Sequence, residues 1–174
     1  ANIEFGAKEI HSTPLHEAFA IGDEDIAFEL ISKVEDKNIT RDDGATPLIL
    51  AVQSGNYGLV SAFLESIDGV DIDRFSIEPD YNPLLTACLN GYYSIAELLL
   101  QKGANKDARS REHGVTPLLL ASYAGSIDIV KLLIRSGAKK NTRATSPAIT
   151  ALGASQDQGH SDVYDFLKSV GCEL

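Results

Sequence analysis

Cysteine is scarce: Cys88 and Cys172 are the two in 174 residues, too few for the multi-bridge framework that staples small secreted domains. Both read as free thiols in a reducing compartment. No apolar run approaches the roughly 18 to 20 residues needed to cross a bilayer, and the first thirty residues hold no basic stretch followed by an apolar one. The chain therefore reads as soluble, cytoplasmic or nuclear, with no membrane partner. Asn38-Ile39-Thr40 spells a glycosylation acceptor, but a tripeptide without a secretory signal carries no weight. Positive charge is also short, 15 Lys and Arg against 25 Asp and Glu, for a formal charge of -10. A polyanion would be repelled over most of such a surface, which weighs against nucleic acid. Apolar side chains, at 44%, are plentiful enough for a real core and exclude a disordered or collagen-like chain.

Signs of chemistry are missing too. His11, His16, His113 and His160 fall at no spacing that zinc binding or nucleophile activation would need. Asp68, Asp71, Asp73, Glu78 and Asp80 crowd together, but a calcium loop begun at Asp71 would put Ser76 and Asn82 where glycine and glutamate are required. The glycines stand singly, unlike those of a phosphate-cradling loop. No catalytic residue, metal or cofactor is expected, and the chain is not expected to be an enzyme.

What is present is a period. Pro14, Pro47, Pro83, Pro117 and Pro147 follow one another at intervals of 33, 36, 34 and 30 residues. Before them stand Thr13, Thr46, Asn82, Thr116 and Ser146, whose side-chain oxygens can cap a first helical turn, while proline suits the first helical position. Alanine follows four residues on, at Ala18, Ala51, Ala87, Ala121 and Ala151. Gly22, Gly55, Gly91 and Gly125 stand eight residues past proline, where a left-handed residue ends a short helix. In the fifth copy this glycine is delayed to Gly159. Ile26, Leu59, Ile95, Ile129 and Val163 then begin a second apolar helical face, which stops at Gly103, Gly137 and Gly171 in the last three copies. Gly44 and Gly114 mark tight turns between copies. About twenty helical residues cannot bury their own apolar face, so the copies must stack.

Thr13-Pro14-Leu15-His16-Glu17-Ala18, Thr46-Pro47-Leu48-Ile49-Leu50-Ala51, Thr116-Pro117-Leu118-Leu119-Leu120-Ala121 and the run Gly103-Ala104-Asn105 resemble ankyrin repeats. The resemblance implies an all-α solenoid of about five helix-turn-helix units with projecting β-hairpin-like fingers. Taken over residues 1 to 174 as one domain, the repeats run approximately 9–40 (an N-terminal cap), 41–75, 76–109, 110–140 and 141–174 (a C-terminal cap). Departures are expected at three places. The first copy lacks a preceding finger and has Val34-Glu35-Asp36 where glycine would end it. The second copy has extra residues around Ser66 to Asp80 and so a longer finger. The fifth has a finger about three residues short and a four-residue expansion near Ala154 to Gln158. His16, whose place is taken by Ile49, Leu85, Leu119 and Ile149 elsewhere, reads as a packed structural histidine.

The resemblance also implies where a partner would sit, on finger tips and inner-helix ends. Those positions are Asp43, Ala45, Gln53 and Ser54, then Tyr81, Leu89 and Asn90, then His113, Val115, Tyr123 and Ala124, with Phe75 and Arg111 on the adjoining fingers. Tyr81 and Tyr123 are the expected anchors. Residues 1 to 80 hold 17 Asp and Glu against 5 Lys and Arg, whereas residues 81 to 174 hold 8 against 10. A partner with an acidic stretch over the C-terminal repeats would suit that asymmetry. The expected function is a non-catalytic interaction module or scaffold, monomeric by itself, binding a protein or peptide. The alternative is an ankyrin targeting domain cut from a larger enzyme, channel or transcription regulator, although Ala1 is compatible with a processed initiator methionine. Leu133, eight residues before Asn141, resembles the pattern at which asparaginyl hydroxylases act on such repeats.

Overall fold

The structure, a computed structural model, describes residues 12–33, 36, 38–66 and 69–174, the side chain of Ser66 excepted. His11, Val34, Glu35 and Asp68 lie outside the described residues. Ten α-helices and no strand form the regular structure of that part. Five are inner helices: α1 (Pro14–Ile21), α3 (Pro47–Ser54), α5 (Pro83–Leu89), α7 (Pro117–Tyr123) and α9 (Ala151–Asp157). Each is followed by an outer helix: α2 (Glu24–Ile31), α4 (Tyr57–Ser66), α6 (Tyr93–Gln101), α8 (Ile127–Arg135) and α10 (Ser161–Ser169). Inner helices pack on the next inner helix, outer on the next outer, and each inner helix on its own outer partner. The result is a two-layered solenoid.

The inner helices start where they do because a side-chain oxygen occupies a free amide of the first turn. Thr13, Thr46, Asn82 and Thr116 accept from the amides of His16, Ile49, Leu85 and Leu119 at 3.4, 3.3, 2.9 and 3.3 Å, each with proline next. The fifth helix departs from the proline phase. Its cap is Thr150, which accepts from the Gly153 amide at 3.2 Å, while Ser146-Pro147 lies upstream in the finger. The side-chain bond decides the helix start, and proline at the first helical position is optional.

Counted from Thr150, the irregularities expected in the fifth copy vanish. Gly159 follows its cap by nine residues, as Gly22 follows Thr13, and caps are spaced 34 residues apart from Asn82 onward. The finger is not shortened and no expansion interrupts Ala154 to Gln158. The residue matching Ala18, Ala51, Ala87 and Ala121 is then Ser155, and the one matching His16 is Gly153 rather than Ile149. The second finger is likewise of ordinary length. Gly69 precedes Asn82 by thirteen residues, as Gly103 precedes Thr116, so the two extra residues of that copy fall between Gly55 and Gly69.

Ala18, Ala51, Ala87, Ala121 and Ser155 are all buried to 2% exposure or less. Such short side chains let neighbouring inner helices pack closely against one another. The core runs continuously through the stack; Phe63 of α4, for instance, meets Phe19 of α1 edge-on with ring centroids 5.1 Å apart.

Each finger is closed by a backbone bond across its base, Arg41 to Ala45, Ser76 to Tyr81, Ser110 to Val115 and Ala144 to Ile149, at 2.9 to 3.1 Å, and the Gly44 and Gly114 amides add bonds to the Arg41 and Ser110 carbonyls at 2.8 and 3.0 Å. Gly44 and Gly114, at φ of 75° and 62°, take the left-handed turn positions expected of them. The Ile77 amide donates to the Asp43 carbonyl and the Thr145 amide to that of His113, each at 2.7 Å, so fingers one and two are joined, as are three and four. Between the pairs, the Asp80 carboxylate accepts from the amides of Arg111 and Glu112. Behind the fingers a second ladder links successive repeats. Asp73, Asp107 and Asn141 accept from the amides of Asn105, Lys139 and Glu173 at 2.9, 2.7 and 3.0 Å.

Candidate functional site

Between the fingers and the inner helices of repeats three to five runs a groove of about 580 Å³. Tyr81 enters from the second finger, His113 and Val115 from the third, and Ser146, Pro147 and Ile149 from the fourth. Leu89 of α5, Leu119, Leu120 and Tyr123 of α7, and Ala154 and Asp157 of α9 complete the floor with Gln158 beyond. Cap geometry places these side chains. The bond at Thr116 fixes the first turn of α7, so Leu119 and Tyr123, four residues apart, share one face.

The lining is chiefly apolar, with no Lys or Arg among its residues. Tyr81 is half-buried, and burial foremost, then the Asp80 carboxylate and Tyr123, pushes its phenol above the ordinary range. It therefore remains a protonated donor at neutral pH. Tyr123 is 47% exposed, and its carbonyl is 3.0 Å from the His160 Nε2. His113 carries an exposed imidazole with Nε2 3.9 Å from the Glu112 carboxylate.

Five of the expected contact residues, Tyr81, Leu89, His113, Val115 and Tyr123, meet in this groove. Others stand outside its lining. Asp43 is occupied in building the first finger: its carboxylate accepts from the Ala45 amide at 3.0 Å and from Arg41 Nη2 at 2.7 Å. Phe75 packs on the core beneath Arg111, whose guanidinium carbon lies 5.6 Å from the ring centroid. Gln53 and Asn90 are exposed, and the Asn90 amide donates to the Thr86 carbonyl at 2.9 Å. The fifth-repeat contribution, from Ser146 to Gln158, was hidden by the proline phase; the signal for it was Thr150 standing nine residues before Gly159.

Basic residues expected to steer an acidic partner also lie outside the groove. Arg109 Nη2 donates to the Arg143 carbonyl at 2.9 Å and Lys140 to that of Val170 at 2.8 Å, each bridging to a later repeat. Nothing in the described residues groups three His, Cys, Asp or Glu side chains as a metal site would. Asp73, both of whose carboxylate oxygens accept from the Asn105 amide, and Asp80, whose Oδ2 accepts from the amides of Arg111 and Glu112, are two of the acids that crowd the second finger and brace backbone instead.

His16 is fully buried. Its Nδ1 accepts from the Thr13 amide at 3.1 Å, and Nε2 lies 3.1 Å from the Ile39 carbonyl, so the tautomer that satisfies both carries its proton on Nε2. This is the structural role expected of it. Asn141, whose Oδ1 holds the Glu173 amide, is exposed. No helix among the described residues is long and apolar enough to cross a membrane.

A family model described as ankyrin repeats in three copies matches residues 3–76 and 73–144. Among curated proteins, the chain is 33% identical over 76 residues to "Protein fem-1 homolog CG6966" of Drosophila melanogaster, covering 40% of this chain and 11% of that protein. It is 30% identical over 89 residues to "Ankyrin repeat and SAM domain-containing protein 6" of Mus musculus, covering 48% of this chain and 10% of that protein. The matched segments thus amount to about a tenth of those relatives' length.

Proposed function

The chain belongs to the ankyrin-repeat family, and from that premise we propose that it is a non-catalytic protein-binding module whose groove seats an extended, apolar segment of a partner polypeptide. Repeats of this kind are in general protein-protein interaction modules. One observation carries the reading for this chain: Tyr81 and Tyr123, from different repeats, rim the same apolar floor. Rings of this kind, rigid, amphipathic and partly exposed, supply large contact area at little entropic cost and are typical binding anchors. A groove already shaped by capped helices also needs little ordering when it is filled.

An uncharged segment suits a lining without Lys or Arg. The acidic stretch that the charge asymmetry favours would meet Arg111 or Lys139 outside the groove. Two buried, unpaired thiols, Cys88 and Cys172, support an intracellular, reducing setting.

The test is a titration of the isolated partner segment by calorimetry. Tyr81→Ala and Tyr123→Ala should each weaken binding by about 2 kcal/mol, roughly 30-fold, while the helical circular dichroism is unchanged. Unaltered affinity in both variants removes the groove from consideration. A second reading, that the chain is the recognition portion of a longer protein, is favoured by the tenth-length coverage of its relatives. Mapping the start and stop codons decides that question.

A further inference from the structure

One end of the groove is charged. Leu89, Tyr123 and Asp157 are the last residues of α5, α7 and α9, each seven residues past its capping residue, Asn82, Thr116 or Thr150. All three line the groove, so its floor passes from an aliphatic to an aromatic to an acidic side chain across repeats three, four and five. Asp157 is exposed and is the only carboxylate in the lining, and its side-chain oxygens have neither a hydrogen bond nor an ion pair with any described residue. None of the Lys or Arg side chains of these repeats lines the groove, and several are engaged elsewhere. Arg109, Lys140 and Arg143 donate to the carbonyls of Arg143, Val170 and Leu174, while Arg111 lies over the Phe75 ring and Lys131 over that of Phe166. The basic excess of this half of the chain thus belongs to other surfaces, and the groove is apolar with an unpaired negative end.

Spacing along the floor constrains what lies on it. Packed helices stand about 8–10 Å apart, and a polyproline-II segment, with three residues per turn and a rise of about 3.1 Å each, repeats its facing side chain about 9 Å further on. Successive inner helices and successive turns of such a segment therefore stay in step. We infer, as an extension that rests on the protein-binding reading above, that the partner segment is cationic as well as apolar. It is a polyproline-II stretch with a large apolar side chain against Leu89 and Tyr123 and, three residues away, an internal Arg or Lys against Asp157. The aliphatic stem of that residue suits the half-exposed Tyr123 ring, and its charged head suits the free carboxylate. The acidic stretch favoured by charge asymmetry is then not the occupant of the groove. A formal charge of -10 on the whole chain draws a cationic segment in from a distance as well.

The experiment selects binders of the full chain from a displayed library of short random peptides and measures the leading one, acetylated and amidated, by calorimetry. Selected sequences should share an Arg or Lys three positions from a large apolar residue. Replacing that basic residue by Gln should weaken binding to the wild type by about fivefold, the upper end for an exposed ion pair, and should leave binding to Asp157→Asn unchanged. Tyr123→Ala should weaken the basic and the Gln peptide alike. Asp157 is exposed and unpaired, so Asp157→Asn keeps the fold, which circular dichroism checks. Three outcomes overturn the inference while the groove keeps its role. Peptides that depend on Tyr123 share no basic residue; they carry acids instead; or the Gln replacement costs as much with Asp157→Asn as with the wild type, which would trace the attraction to net charge alone. A library that yields no peptide dependent on Tyr81 or Tyr123 overturns the protein-binding reading itself, and this inference with it.

Discussion

The two ends of the array treat water differently. At the C-terminal end the inner-helix position that holds the fully buried Phe19 in repeat one holds the exposed Gln156, and the buried Ile31 is matched by the exposed Lys168, set 5.7 Å from the Tyr164 ring. At the N-terminal end Ile21, Ile26 and Phe28 are 71%, 49% and 42% exposed. Both ends bury their inward apolar residues; the last repeat is polar where a next neighbour would sit, whereas the first mixes exposed Glu17 and Glu29 with exposed Ile26 and Phe28. The two ends thus differ in how completely polar side chains replace the apolar ones that a neighbour would cover.

The largest effect expected from this contrast is at position-matched side chains. Phe63→Ala deletes a ring with 0% exposure and its edge-on partner, and should cost about 3–5 kcal/mol in urea unfolding. Leu30→Ala, at the same repeat position, should cost about 1 kcal/mol, because half-burial removes much of the transfer contribution and leaves no closed cavity. Equal costs would mean that the N-terminal face is already covered and the two ends are alike.

His16 is the next sharpest difference, since it gives the N-terminal end a buried titratable group where repeat five has Gly153. His16→Ala would leave the Thr13 amide and Ile39 carbonyl without their ring partners and open a cavity, for a loss of about 3 kcal/mol at pH 8. Burial is the largest cause that lowers the pKa of this imidazole, opposed by its bond to the Ile39 carbonyl, with smaller contributions from Arg41, Asp43 and Glu17. A folded value below the ordinary 6.5 means that the unfolded chain binds the proton more readily. The contribution of His16 is thus complete above pH 6.5 and declines as pH falls through that value toward the lowered one. Urea midpoints measured from pH 8 to 5 should drop more in the wild type than in His16→Leu; parallel profiles would refute the neutral, Nε2-protonated ring.

Much of this fold was legible because its signals are local. A capping oxygen followed by a glycine nine residues on reports helix start and stop without reference to the rest of the chain, and Thr13, Thr46, Asn82 and Thr116 announce four inner helices. Within the groove Tyr81, Leu89, His113 and Tyr123 followed from counting off those caps. The fifth repeat was misplaced because Pro147 resembles a first-turn proline, and sequence alone does not say which of Ser146 and Thr150 holds the first-turn amide. That single slip hid Ile149, Ala154 and Asp157 from the groove. Asp43 and Phe75 illustrate another limit. A finger residue's exposure depends on whether the next finger consumes its polar groups or covers its ring, and Ile77 and Arg111, which do so, come from other parts of the chain.

The smallest expected effect tests that register at the finished end. Thr150 accepts from the Gly153 amide at 3.2 Å and donates from its hydroxyl to the Glu173 carbonyl at 2.9 Å, tying the start of α9 to the last residues of the chain. Thr150→Ala removes both bonds at a site only 2% exposed and should cost about 1–2 kcal/mol, the range of a lost cap. Ser146 is exposed in the finger, so Ser146→Ala should stay within about 0.5 kcal/mol, the scatter of surface substitutions. Circular dichroism during urea unfolding separates the two. The reverse ranking would restore the proline phase, return Ile149 to the position of His16, and withdraw α9 from the floor of the groove.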